Sequence, residues 1–223
     1  MSKTAIVIGA SRGIGKEIVA QLSIQEIETF GFARSLEDQD EENIHYRTLD
    51  LTSSSLKEDL IRLTTEISQI DYLINNAGQI VVKPFLELSK EDILSCYQVN
   101  VMSVMEVIQV CLPKMKAGGH IVNISSIGGF QGSVKFPGLS AYSTSKAALV
   151  SLTELLAEEF KETGISINCL CLGAVQTEML ETAFPGYKAP HSAKEMASYI
   201  CDFTINAGKY MHGKIIPVSN STP

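Results

Sequence analysis

Tyr142 and Lys146 stand four residues apart in the stretch 140–150, SAYSTSKAALV, so on a helix they share one face. A phenol beside an ammonium has its phenolate favoured and its pKa lowered. Such a tyrosine can donate or accept a proton near neutral pH. The pair Ser125 and Ser126 ends an apolar run just upstream, HIVNISS. A hydroxyl at that strand end can hold a carbonyl oxygen against the same phenol. The Y-x-x-x-K spacing also describes an ordinary amphipathic helix with a surface Tyr/Lys pair, and only the rest of the chain separates the two readings.

The chain begins with a short apolar run at 4–8, TAIVI, then GASRGIG at 9–15 and a helical pattern over 16–25. Strand, glycine turn and helix in that order is the context a dinucleotide loop requires. Gly9 permits the tight turn, Gly13 lets the backbone approach a pyrophosphate, and Gly15 lets helix and strand pack closely. The helix N-terminus supplies free N–H groups to the phosphates. A plain βα turn is the alternative. The next strand, 27–33, ends at Ala33 and is followed by Arg34, with the first acid at Glu37. At that strand end an acid selects NAD and an arginine accommodates a 2′-phosphate. Arg12, inside the glycine loop, can meet the same phosphate from the other side, which argues for NADP(H) over NAD(H). The alternative is two surface arginines.

Residues 35–43, SLEDQDEEN, read as a solvated loop, too short for a full crossover helix before strand 44–49. Asp50 is expected to cap a helix over 53–68, with an adenine contact possible in addition. Strand DYLIN runs into Asn75, Asn76, Ala77 and Gly78, small and amide residues suited to a cofactor crevice. A long helix over 89–115 carries Asn100 among apolar neighbours, where a buried amide needs partners. Strand 119–125, helix 140–162, a strand ending at Gly173, a mobile loop with one short helical turn over 178–191, helix 192–206 and strand 214–218 complete the order. No internal repeat interrupts it, so residues 1–223 read as one α/β domain with a doubly wound parallel sheet.

Apolar residues make up 45% of the chain and charged residues 19%, which excludes disorder and suits a sheet buried on both faces. A net charge of −7 argues against nucleic acid or an anionic membrane as partner. Cys169 and Cys171 point to the same side of one strand without C-x-x-C spacing, so the five cysteines read as reduced thiols and no metal is expected. The N-terminus goes straight into structure, and the most apolar long segment, 99–112, contains Glu106 and Gln109. A soluble, cytoplasmic protein is expected.

GASRGIG, NNAG, Asn100, the strand-end serines and YSTSK, in one order over residues 4–180, resemble the short-chain dehydrogenase/reductase family in its compact form. The resemblance implies a Rossmann-type sheet of about seven parallel strands in the order 3-2-1-4-5-6-7. It implies that Tyr142 is the acid/base, that Lys146 holds the nicotinamide ribose and lowers the Tyr142 pKa, that Ser126 positions the substrate oxygen, and that Asn100 holds a relay water. Gly9, Ser11, Arg12, Gly13 and Ile14 match the phosphate loop. Asp50 and Leu51 match the adenine pocket, and Asn76, Ala77 and Gly78 the wall beside the ribose. Gly173, Val175 and Thr177 match the segment at the carboxamide. The implied activity is NADP(H)-dependent reduction of a carbonyl or oxidation of an alcohol, on a 3-oxoacyl thioester or a small ketone. A homodimer or homotetramer would pair through the long helices. An NADP(H) sensor without turnover is the alternative, although degenerate members generally lose the tyrosine or lysine that this chain retains.

Three features depart from the family pattern. Ser126 and Tyr142 are sixteen positions apart, so the intervening loop carries an insertion and Ser125 competes with Ser126 for the role. Leu172 precedes Gly173 where proline is usual, which predicts a looser turn. The chain ends in PVSNSTP rather than a glycine-rich segment, and 178–213 is short, so a small, open lid is expected. Phe130, Phe136, Phe184 and Tyr187 are candidate pocket walls.

Overall fold

A computed structural model of the chain describes residues 2–220. Residues 221–223, the end of the PVSNSTP tail, lie outside the described residues, as does residue 1. The strands of the first half are β1 (Thr4–Ile8), β2 (Glu28–Ala33), β3 (Gln39–Glu41), β4 (Ile44–Thr48) and β5 (Ile70–Asn75). They are followed by β6 (Met115–Ser126), β7 (Ser166–Leu172), β8 (Val175–Gln176), β9 (His191–Ser192) and β10 (Ile215–Val218). An eight-stranded sheet has the order β10-β7-β6-β5-β1-β2-β4-β3. Every pairing in it is parallel except β3 on β4. The parallel part reproduces the expected 3-2-1-4-5-6-7 order.

The described residues form seven α-helices: α1 (Gly13–Ile24), α2 (Leu56–Leu63), α3 (Lys90–Tyr97), α4 (Ser103–Cys111), α5 (Ser140–Glu159), α6 (Glu178–Ala183) and α7 (Ala193–Asn206). Side chains of a strand alternate between faces, and β1 shows what that does. Ile6 faces Leu60, Val107 and Leu149 on one side, while Val7 faces Ile18, Leu22 and Ile200 on the other. Both are fully buried. Each such side chain contributes about 1.5–3 kcal/mol, which is why the strands read as apolar runs.

The expected loop at 35–43 is corrected by β3. Asn43 turns the chain at φ 59, a left-handed conformation that asparagine tolerates. Asp40 then reaches Arg47 at 2.7 Å and His45 at 2.7 Å across the ladder. The acidic stretch thereby serves as a charged edge strand, which discourages further pairing. The helix over 53–68 shortens to α2, and Asp50 does not cap it. The Asp50 carboxylate accepts from the Thr52 backbone N–H and hydroxyl at 2.9 and 2.8 Å, closing a turn before the helix begins. The long helix over 89–115 is interrupted by a π-turn at Gln98–Met102 and ends in a 3₁₀ turn containing Pro113. Lys90–Lys114 is long and apolar enough to cross a membrane by length and composition, contrary to the sequence reading, yet Val104, Val107, Ile108 and Cys111 lie in the sheet's core.

His120 on β6 is 1% exposed. Nδ1 faces the Thr204 carbonyl at 2.9 Å, and Nε2 lies 2.9 Å from Asn168 Nδ2, so a neutral ring donates at Nδ1 and accepts at Nε2. Asn168 also bonds Met211 and Lys214, tying the segment after α7 to the sheet. Burial pushes the His120 pKa from 6.5 down to about 4. Between those values the unfolded chain binds a proton that the folded chain refuses, so stability rises with pH. Urea denaturation at a series of pH values is expected to show unfolding free energy falling by on the order of 3 kcal/mol from pH 7 to pH 4. His120→Gln should have a distinctly shallower slope, and an equal slope would contradict the assignment.

Candidate active site

The first turn of α1 is built by close approach. Gly9, at φ 89, lies so near Ala77 that a Cβ would sit 2.7 Å from its backbone. A Cβ on Gly15 would fall 2.0 Å from the Gly9 carbonyl oxygen. Asn76 fixes the turn by donating from Nδ2 to that same oxygen at 3.0 Å. No side chain caps α1, which leaves its first N–H groups for an anion. They border a cleft of about 890 Å³ at the carboxyl ends of the strands. Ser11, Arg12, Ile14, Arg34, Asp50, Leu51, Ala77, Gly78, Gly173, Val175 and Thr177 line it too, so all the expected nucleotide-side positions meet there. Uncapped amides, a glycine cradle and two arginines fit a dinucleotide phosphate.

At the other end of the cleft stand Ser126, Tyr142 and Lys146. Ser125 Oγ donates to the Lys146 backbone carbonyl at 2.8 Å, which removes it as the substrate hydroxyl. Ser126 Oγ accepts from the Gly128 N–H at 3.2 Å. Lys146 is 3% exposed and donates from Nζ to the Ile124 carbonyl at 2.8 Å. Burial pushes its pKa down to about 8. Burial also pushes the Tyr142 phenol above its usual value, with the Ser126 hydrogen bond pulling the other way. The expected lowering of the phenol by Lys146 is therefore corrected. The ammonium is engaged by a carbonyl, and desolvation favours the uncharged form of both groups.

The Asn100 side chain is held by partners distant in sequence. It sits in the π-turn, fully buried, with Oδ1 accepting from Gln79 N–H at 2.8 Å. Its Nδ2 donates to the Gln79 carbonyl at 2.9 Å and to Ser145 Oγ at 2.8 Å. Both amide protons are committed, so the side chain staples the segment after Gly78 to α5. A π-turn at this point is the local irregularity that aims one side chain.

The remaining expectations are settled by α6 and its flanks. The Leu172–Gly173 turn is not loose, because Gly173 N–H donates to the Val218 carbonyl at 2.9 Å. Thr177 Oγ1 accepts from Leu180 N–H at 3.2 Å and caps α6. β8 pairs with β9, and Gln176 Oε1 accepts from Ala189 N–H, so both ends of the lid segment are tied. Instead of staying open, α6 lies against the cleft, and Phe184 meets Phe136 edge-on at 5.3 Å. Phe136 and Phe184 line the cleft, whereas Phe130 and Tyr187 do not. Gln79, Ser143, Glu178 and Met179 line it without having been anticipated. The short helical turn expected within 178–191 is α6. All five cysteines are buried and free, and among the described residues no cluster of three or more His, Cys, Asp or Glu is placed to hold a metal.

A family model described as short chain dehydrogenase matches residues 3–188. L-2,3-butanediol dehydrogenase of Corynebacterium glutamicum is 36% identical over 197 residues, covering 81% of this chain and 75% of that protein. The chain belongs to the short chain dehydrogenase family. Two solved structures share the fold of this short chain dehydrogenase. A Burkholderia cenocepacia short chain dehydrogenase in complex with NADP has a TM-score of 0.84 at 23% identity, covering 98% of this chain and 97% of the other. 4-Hydroxyisoleucine dehydrogenase complexed with NADH has a TM-score of 0.85 at 22% identity, covering 99% and 98%.

The staple assigned to Asn100 has a measurable consequence. Asn100→Ala leaves two backbone groups of Gln79 and the Ser145 hydroxyl without their partner, and is expected to lower unfolding free energy by about 2–4 kcal/mol. Hydrogen exchange should quicken at Gln79 and its neighbours more than in β1. A variant of wild-type stability with unchanged exchange would contradict the staple.

Proposed function

We propose that this short chain dehydrogenase is an NADP(H)-dependent carbonyl reductase, run in reverse as an alcohol dehydrogenase, acting on small neutral ketones. The observation carrying the reading is that Ser126, Tyr142 and Lys146 converge on the cleft whose other end is the glycine loop. When bound, the nicotinamide supplies a hydride at its C4. The Tyr142 hydroxyl donates the proton to the carbonyl oxygen, and the Ser126 hydroxyl holds that oxygen as negative charge develops. Lys146 holds the ribose hydroxyls of the nucleotide. Fixing both reactants between one loop and one helix supplies orientation.

Arg12 and Arg34 support the NADP(H) preference because both line the nucleotide end. The substrate end is apolar, with Ile80, Ile127, Phe136, Leu139, Met179 and Phe184. Glu181 stands on its lid, so an anionic substrate would meet repulsion where a neutral one would not. That favours a small ketone over a 3-oxoacyl thioester carried on an acidic group. Met102, Met105 and Leu155, 47%, 40% and 65% exposed, lie on the helical surfaces expected to pair, and support a homodimer or homotetramer. Buried free thiols support a reducing, cytoplasmic setting.

Stopped-flow and steady-state measurements with NADPH and a panel of neutral ketones test this. Tyr142→Phe is expected to reduce kcat by about a hundredfold or more while leaving NADPH binding near wild type. Arg34→Asp is expected to raise the NADPH dissociation constant by about tenfold with little change for NADH. Full turnover in Tyr142→Phe would overturn the acid/base role, and an unchanged NADPH constant in Arg34→Asp would overturn the cofactor preference.

A further inference from the structure

Arg12 does not stand free at the phosphate end of the cleft. Its Nη1 donates to Glu178 Oε2, in the first turn of α6 and far along the chain. Their side chains are 71% and 68% exposed, and a free surface pair of that kind contributes little. This pair is carried on a fixed frame, however. Thr177 Cγ2 lies 3.6 Å from where a Cβ on Gly13 would be, and Met179 Cε lies 3.5 Å from the corresponding point on Gly78. Three successive residues thus rest on Gly13, Arg12 and Gly78, all at the nucleotide side. Arg34 is also accompanied by an acid, since its charge helps hold the Asp50 carboxyl below the usual range, behind the larger effect of the Thr52 backbone hydrogen bond.

We propose that Glu178 is a specificity-determining residue, setting the preference between NADPH and NADH by competing with the 2′-phosphate for Arg12. This rests on the reading that Arg12 meets that phosphate. A 2′-phosphate carries nearly two negative charges and seeks the guanidinium fork, while the 2′-hydroxyl of NADH is neutral. The Glu178 carboxylate occupies one arm of the fork and repels the phosphate from the lid side. Binding of NADPH must break or reshape the Arg12–Glu178 pair, whereas binding of NADH leaves it in place. Glu178 therefore moderates a preference that the two arginines alone would make stronger.

The test is a double-mutant cycle in nucleotide binding, read by fluorescence titration of NADPH and of NADH against wild type, Glu178→Gln, Arg12→Met and the double variant. Both side chains are largely exposed, and melting temperatures check that each variant is folded. Glu178→Gln is expected to tighten NADPH binding about fivefold with no change for NADH. The gain should vanish in the Arg12→Met background and shrink as salt is raised. Equal effects on both nucleotides, or a gain that persists without Arg12, would overturn the proposal by making Glu178 a lid residue only. An Arg12→Met variant that binds NADPH as wild type does would overturn the phosphate assignment beneath it, a result visible without touching Glu178.

Discussion

The arrangement of this site depends on how closely α5 approaches the end of β6. A Cβ on Gly129 would lie 2.6 Å from the Lys146 carbonyl carbon, and one on Gly128 would lie 2.9 Å from Ser143 Oγ. Only glycine fits at position 129 without moving the helix, whereas at 128 a Cβ would need only the Ser143 hydroxyl to turn away. The approach brings the Lys146 ammonium to the Ile124 carbonyl and the Lys146 carbonyl to the Ser125 hydroxyl. A buried ammonium without such an acceptor would be costly. The same contacts that make Lys146 tolerable inside the protein therefore fix the part of α5 that carries Tyr142 against the end of β6.

Around that contact runs a buried polar seam at the carboxyl ends of the strands. Asn75 donates to Asn123 at 2.8 Å, and Asn123 donates to Thr153 on α5 at 3.0 Å. Asn76 ties β5 to the glycine loop, and Asn100 ties the next segment to α5. Directional bonds of this kind specify one register between sheet and helix, which apolar packing alone specifies less sharply. The cleft inherits the division: polar and cationic beside the glycine loop, apolar under α6, with Ser126 and Tyr142 also on its lining.

Much of this was legible because a parallel sheet puts its chemistry at strand ends. TAIVI before GASRGIG, DYLIN before NNAG and HIVNI before the serine pair each announce a strand and the turn that follows it. Their placement follows from local pattern and a fixed topology. What was not legible depends on partners distant in sequence. The acidic run 35–43 looks solvated until Arg47 and His45 are seen across from Asp40. Nothing beside Asn100 in the chain announces Gln79 and Ser145 as the partners of its amide. Glu178 is an unremarkable acid until Arg12 faces it. Burial likewise reverses the sign expected for Tyr142, since a Y-x-x-x-K spacing says nothing about how dry the phenol is.

The central claim is that a hydride passes from a nicotinamide to a carbonyl held at Tyr142 and Ser126. The most direct measurement uses NADPH deuterated on one face of C4, with a neutral dione such as diacetyl, and mass spectrometry of the product. The account predicts an alcohol carrying deuterium at the former carbonyl carbon when one face is labelled, and none when the other face is labelled. An alcohol without label from either cofactor, or bound NADPH that is never oxidised by any neutral ketone, would contradict it.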